Sequence, residues 1–513
     1  MTRPTVADAE RWTPDALREA ADAWDAAATD VHAHVEIAVQ GVDASREFWT
    51  GSAAQGARLN ALDVGRASQA LARARVMAAV AARDGADQIA AAQADVLARV
   101  SDARADGFAV GDDGVVVAPP ASPQLVALSG GDAAVACDLL TLRAAELTRQ
   151  MGEALDRLGD ADRDAAADIE EAFTLPVDRP ASTTPANWPA TGQDRIAEQV
   201  AAMTPDQRDR LVAEFPRQVG NTDGLPWEMR IEANRVNIAQ AIIDTGDPGR
   251  AAFYRGLLGE IDDPAGGSVR VDRQILAFDP SRAALVELNG NLSTASSMAV
   301  FVPGLNTTIE GSAANTQTAR RFVSATRGEV AAITYLGGPF PSGNPVSGVV
   351  DAADPRYALD MAPRLVAFSE DVDRTAQSIP VTYVGHSYGG SILGTAEALG
   401  LTADRTLYLA AAGAGVGVDD AGDWHNRNPH VLRFSMTAPG DLIQAVQGIP
   451  GGPHGADPDR MPGVIPLATG YYDDGRLMAG PSAHTDIVNW PSDSWRNILA
   501  VITGDSETLH KAG

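Results

Sequence analysis

Apolar residues near the start of the chain recur at alternating steps of four and three: Leu17, Ala21, Trp24, Ala28, Val31, Val35, Ala38, Val42 and Ser45. That spacing keeps one stripe on one face and predicts a long helix with a coiled-coil-like seam, about 45 Å at ~1.5 Å per residue. The pattern breaks at "FWTGSAA", Phe48 to Ala54, where Gly51 offers a turn before a second long helix running to roughly Arg104. "FAVGDDGVVV", Phe108 to Val117, reads as a small β-hairpin, and another helix is expected from about Gly131 to Phe173. Thr174 to Gln193 is rich in proline, serine and threonine without periodicity, the texture of a linker. Residues 194–260 return to helix, best patterned in "RIEANRVNIAQAIID".

From about Val269 strand, loop and helix alternate. Strands are predicted at Ile275–Phe278, Ala284–Leu288, Met298–Val302, Val330–Tyr335, Pro380–Val384, Thr406–Ala410, Val431–Ser435 and Val464–Ala468, with helices at Tyr357–Ala376 and Ser391–Leu399. Buried parallel strands alternating with helices imply an α/β sheet, mostly parallel and covered on both faces. Three segments follow: an all-α helical-hairpin domain over 1–173, a linker over 174–193, and an α/β domain over 194–513.

Within the α/β segment, "VTYVGHSYGGSILG" ends an apolar strand at a serine between glycines. Gly385-His386-Ser387-Tyr388-Gly389 fits the G-x-S-x-G nucleophile elbow, which needs glycines because neighbouring backbone passes very close. Its strand before and small-residue helix after make Ser387 a candidate nucleophile rather than part of a purely structural turn. A serine nucleophile needs an acid and a base, which this arrangement places in the order Ser, Asp/Glu, His. Asp441 follows the strand "HVLRFSM" and is the candidate acid; its alternative role is a helix N-cap, and Asp420 and Asp423 are the fallback acids. His484, after the last strand and before the closing helix, is the candidate base, while His454 is expected to shape a loop or pocket wall. An oxyanion hole needs two backbone N–H donors, expected from Tyr388 and from Leu305, or Asn306, in "VPGLNTT". Gly337 to Tyr357 is expected to be a pocket-shaping loop or short lid.

Composition narrows the chemistry. With 45% hydrophobic residues the chain can bury substantial cores, and its length calls for two or three domains. A net charge of −28 argues against nucleic acid and against docking on an anionic membrane. Lys511 is the only lysine, so no Walker or Schiff-base lysine is available away from the tail. Cys137 is the only cysteine, which excludes intramolecular disulfides and Cys-rich metal sites. His32 and His34 lack a ligand cluster and read as surface residues; Arg230, Asn234 and Arg235 read as a solvated helix face. No metal or cofactor is expected. The longest weakly polar run, Leu407 to Val418, is too short to span a bilayer, and the amino-terminal residues do not form a signal peptide.

The ordered stretches "GLPWEMRIEANR", "VPGLNTT", "VGHSYGG", "TAPGD" and "SAHTDIVNW" resemble an actinobacterial family of the α/β-hydrolase superfamily with unassigned function, over roughly residues 195–505. The resemblance implies an α/β-hydrolase fold and the triad Ser387, Asp441 and His484; it supplies no substrate. An ester or lipid-like substrate is the leading expectation, a thioester or amide the lesser one. The amino-terminal helices resemble WXG-type hairpins of type VII secretion substrates, with Trp49-Thr50-Gly51 at the turn. This implies a helical partner, or self-association, through residues 1–173. The export signal of such hairpins, Tyr-x-x-x-Asp/Glu, does not occur. The location expected is cytoplasmic, or exported without a signal peptide. A binding or adaptor protein with an inert hydrolase half is the alternative function.

Overall fold

Eight strands form the central sheet: β1 Gln274–Asp279, β2 Ala284–Asn289, β3 Ser297–Val302, β4 Val330–Leu336, β5 Val381–His386, β6 Arg405–Leu409, β7 Leu432–Met436 and β8 Val464–Pro466. Each coincides with one of the predicted strands. They lie in the order β8-β7-β6-β5-β3-β4-β2-β1. Strands β3 to β8 pair in parallel, whereas β2 runs antiparallel to both β4 and β1. The sheet is therefore mostly parallel, as expected, with its antiparallel pairings confined to the first two strands. Only residues 280–283 join them, and a parallel return needs a crossover of about a dozen residues or more.

The computed structural model describes residues 3–45, 48–174, 188, 192–343, 353–447, 449 and 452–512. The chain divides into two units, Met1–Asp178 with Ala239–Gly246, and Arg179–Ile238 with Asp247–Gly513. The predicted linker falls largely outside the described residues, as do residues 344–352 of the predicted pocket loop.

The first unit is helical, built on α1 Asp15–Ala44, α2 Ser52–Ala105 and α3 Ala133–Phe173. The seam positions are buried at Ala21, Ala28 and Ser45, half-buried at Val31, Val35 and Val42, and exposed at Ala38. Alanine and glycine allow close helix contact: a Cβ on Gly85 of α2 would sit 2.4 Å from the Cβ of Ala165 on α3. Ile89, Val96, Val100, Met151, Leu155 and Leu158 supply the larger side chains of this core. The hairpin tip is unlike the core, with Ile37, Phe48, Trp49, Leu59 and Leu62 all exposed.

In the second unit, α4 Ala313–Ala325 and α8 Asp493–Thr503 cover one face of the sheet. There Phe322 meets Phe301 of β3 edge-on at 6.3 Å and stacks on Trp495 at 5.2 Å. The other face carries α5 Arg356–Ala376 and α6 Tyr388–Ala398, with Tyr335 of β4 against Phe368 at 5.1 Å. A sheet covered on both faces explains why β3 and β4 are buried throughout instead of alternating.

Arg230 and Asn234 correct the expected solvated face. Arg230 is 1% and Asn234 0% exposed. The Arg230 guanidinium donates to Asp371 at 2.7 Å, to Asp223 at 3.0 Å and to the Leu276 carbonyl at 2.9 Å, which compensates its loss of water. Asn234 donates to the carbonyls of Gly220 and Ile275. Arg235 does lie at the surface, paired with Asp272.

Candidate active site

Ser387 occupies the turn between β5 and α6 with φ 58° and ψ −121°, a left-handed conformation that a non-glycine residue adopts only when its surroundings enforce it. The enforcement is visible. The Ser387 N–H donates to the Leu409 carbonyl at 3.0 Å, and its carbonyl accepts from Gly390 and Ala412. A Cβ on Gly389 would lie 2.1 Å from the Val302 carbonyl oxygen, so α6 can approach β3 this closely only with glycine there.

The candidate base is carried by α7 Ala483–Asp486, a four-residue helix beyond β8. His484 Nε2 lies 3.0 Å from Ser387 Oγ, and Nδ1 lies 2.9 Å from Asp441 Oδ2 and 3.1 Å from Oδ1. A carboxylate at Nδ1 selects the tautomer that is protonated there, leaving Nε2 to accept the serine proton. Asp441 is buried after β7, and its Oδ1 also accepts from the Ile443 N–H at 2.9 Å. One carboxyl group therefore makes both contacts considered for Asp441, the one to the candidate base and the N-cap. The fallback acids are engaged elsewhere: Asp420 accepts from Gly422, and Asp423 accepts from the N–H groups of Asp419 and Asp420.

The loop after β3 lies against the serine. A Cβ on Gly304 would be 2.7 Å from Ser387 Cβ and 3.1 Å from its Oγ. The Asn306 N–H is committed to the Pro341 carbonyl at 2.9 Å, and its side chain clamps Gly343 through both amide atoms. Of the two candidate donors that leaves Leu305, whose N–H makes no hydrogen bond among the described residues. Tyr388 opens α6, where an N–H has no carbonyl one turn back.

His454 is buried behind this turn. It bonds Ser391 Oγ through Nδ1 at 2.8 Å and stands edge-on to the Tyr388 ring at 5.1 Å, consistent with a wall role. His32 and His34 belong to the first unit, where His32 is 4.0 Å from Asp244 and His34 bonds the Asp30 carbonyl. Among the described residues no group of three or more His, Cys, Asp or Glu could hold a metal ion. Likewise no helix among them is long and apolar enough to cross a membrane.

Sequence reasoning passed over His386, whose Nε2 lies 2.7 Å from the His484 carbonyl oxygen. Burial, and then the neighbouring His484, push the His386 ring down to about 4, so it is neutral near pH 7. Position x of the elbow motif carries no type requirement, so the motif could not single it out.

Comparison with known proteins agrees with this architecture. An α/β hydrolase family model matches residues 279–450, so the carboxyl-terminal part carries an α/β hydrolase family domain. The sheet order and its helical covering are those of the α/β-hydrolase fold, preceded by a helical region. The uncharacterized protein Rv2079 of Mycobacterium tuberculosis is 27% identical over 273 residues, which is 44% of this chain and 40% of that protein. The chain thus spans less than half the length of the curated relatives it matches. Among solved structures, a lidless α/β serine hydrolase from Xanthomonas campestris is 12% identical, covering 36% of this chain and 79% of its own, with a TM-score of 0.23. Dienelactone hydrolase from Anabaena variabilis is 15% identical, covering 43% and 89%, with a TM-score of 0.23.

Proposed function

We propose that the protein is a serine hydrolase that cleaves carboxylic esters through an acyl-enzyme. The carrying observation is the continuous chain Ser387–His484–Asp441, with contacts of 3.0 and 2.9 Å, on a serine held at φ 58°. In this reading Ser387 Oγ attacks the ester carbon while its proton passes to His484 Nε2. The oxyanion formed accepts from the Tyr388 and Leu305 N–H groups. Collapse breaks the bond to the alkoxy oxygen, which leaves as the alcohol with the proton from His484. Water, deprotonated by His484, then attacks the acyl-enzyme; the acid departs and Ser387 regains its proton. Asp441 holds the imidazole and stabilises its cation throughout.

Labelling by a fluorophosphonate probe tests this reading. Wild type should be labelled and should turn over p-nitrophenyl esters, whereas Ser387→Ala should do neither at an unchanged melting temperature. Asp441→Asn should reduce kcat on the order of 10⁴-fold, because the amide selects the wrong tautomer. Undiminished turnover by Ser387→Ala would remove the assignment. Partner binding or self-association through residues 1–173 is a second, separable role, favoured by the exposed Phe48 and Trp49 at the hairpin tip.

A further inference from the structure

The base stands on a short turn of helix whose own capping and hydrogen bonding are incomplete. Helix α7 has only four residues, its N-cap Ser482 makes no side-chain cap, and the His484 N–H reaches the Pro481 carbonyl at a long 3.4 Å. One turn on, no backbone N–H donates to the His484 carbonyl among the described residues, although the neighbouring Ala483 carbonyl does accept from Ile487. Buried carbonyls are rarely left unpaired. Here the partner is a side chain from the far side of the sequence, His386.

Strand alternation explains how it gets there. Position 385 faces α6, where a Cβ would lie 2.7 Å from the Gly389 carbonyl oxygen. The next side chain must leave the opposite face, toward α7. The two imidazoles end 5.2 Å apart between centroids at an interplanar angle of 40°. One turn of chain thus presents the nucleophile on one residue and braces the base with the residue before it.

We propose that His386 is a positioning residue that holds His484 in register with Ser387 by donating Nε2–H to the His484 carbonyl oxygen. The proposal rests on reading Ser387, His484 and Asp441 as the triad. A neutral ring suits this task, since it donates without placing a second positive charge beside the imidazolium formed during turnover. Without the bond, α7 keeps an unpaired carbonyl and the 3.0 Å Nε2–Oγ contact loses its support. Misplacement of a reacting group by about 1 Å costs on the order of 10²-fold.

Steady-state turnover of p-nitrophenyl butyrate by the full chain tests it, using His386→Phe, His386→Asn and His386→Gln beside Ser387→Ala. Phenylalanine keeps the ring and loses the donor; glutamine places an amide N–H near the reach of Nε2, and asparagine stops short of it. His386→Phe and His386→Asn should lower kcat roughly 10- to 100-fold with KM little changed, and His386→Gln should recover most of the loss. Fluorophosphonate labelling rates should fall in the same order. If His386→Phe does not fold, the contrast between glutamine and asparagine decides. An inactive Ser387→Ala with His386→Phe at wild-type kcat, or equal losses in glutamine and asparagine, overturns the positioning role alone. A fully active Ser387→Ala overturns the triad and this role with it.

Discussion

Gly304→Ala probes the wall of the proposed oxyanion hole without substituting any residue of the proposed triad. The added methyl would meet Ser387 Cβ at 2.7 Å and the His386 carbonyl oxygen at 3.0 Å, where ordinary contact begins at 3.4 Å. Ser387 cannot yield cheaply, because its backbone is pinned by three hydrogen bonds to Leu409, Gly390 and Ala412. The 303–305 loop must therefore retreat by roughly 0.7 Å, enough to take the Leu305 N–H out of the ~2.7–3.1 Å window of a useful oxyanion donor. Loss of one such donor costs on the order of 10²–10³ in kcat, and overpacking of this kind costs about 1–3 kcal/mol in stability. Measured with p-nitrophenyl butyrate, kcat should fall by that factor while KM changes little. Thermal denaturation should show a folded protein. Gly256→Ala is the control, since a Cβ there meets nothing within 4 Å. A folded Gly304→Ala enzyme with wild-type kcat would refute the assignment of this loop to the oxyanion.

Asp371→Ala should destabilise the second unit by about 3–5 kcal/mol in urea denaturation, because it strips the buried Arg230 of its 2.7 Å partner. Asp223→Asn should cost less: burial raises that carboxyl to about 6, so it is still mostly ionised at pH 7 but holds its charge at a free-energy cost that the amide avoids. His386 should also shape acid stability. A free histidine protonates near ~6.5 and the folded ring only near about 4, so protons favour the unfolded chain and stability falls as pH drops between those values. For a partly buried ring this amounts to about 2–3 kcal/mol, and it should be absent in His386→Gln when unfolding is followed at pH 7 and pH 4.5. An equal pH dependence in variant and wild type would count against a depressed His386.

The legibility of these features tracks how local their physics is. The strands of the sheet were readable because a doubly covered sheet demands apolar β-branched runs, and Val300 or Ile333 must be apolar whatever their neighbours. Ser387 was readable for a similar reason, its glycines recording steric demands within a few residues. The order of strand ends then pointed to Asp441 and His484, the residues that lie within hydrogen-bond distance of one another and, through His484, of Ser387. The antiparallel β1–β2 pair went unread although the short link at Pro280 to Ala283 signals it, because strand texture alone does not give direction. Arg230 was not readable: its partner Asp371 lies 141 residues away, and a helix face bearing arginine looks solvated until that carboxylate is brought to it.

His386 marks the boundary between the two cases. Its backbone belongs to the most recognisable stretch of the chain, yet its hydrogen bond spans 98 residues and ends on a carbonyl, which every residue type possesses. A side chain that recognises a backbone atom leaves no complementary residue in the sequence to pair it with. The glycines around it behave differently. At Gly304, Gly385 and Gly389 a Cβ would fall within 3 Å of another atom, so each records an approach by its own lack of a side chain. A site of this kind is therefore readable where it excludes atoms, and silent where it supplies a donor to the main chain.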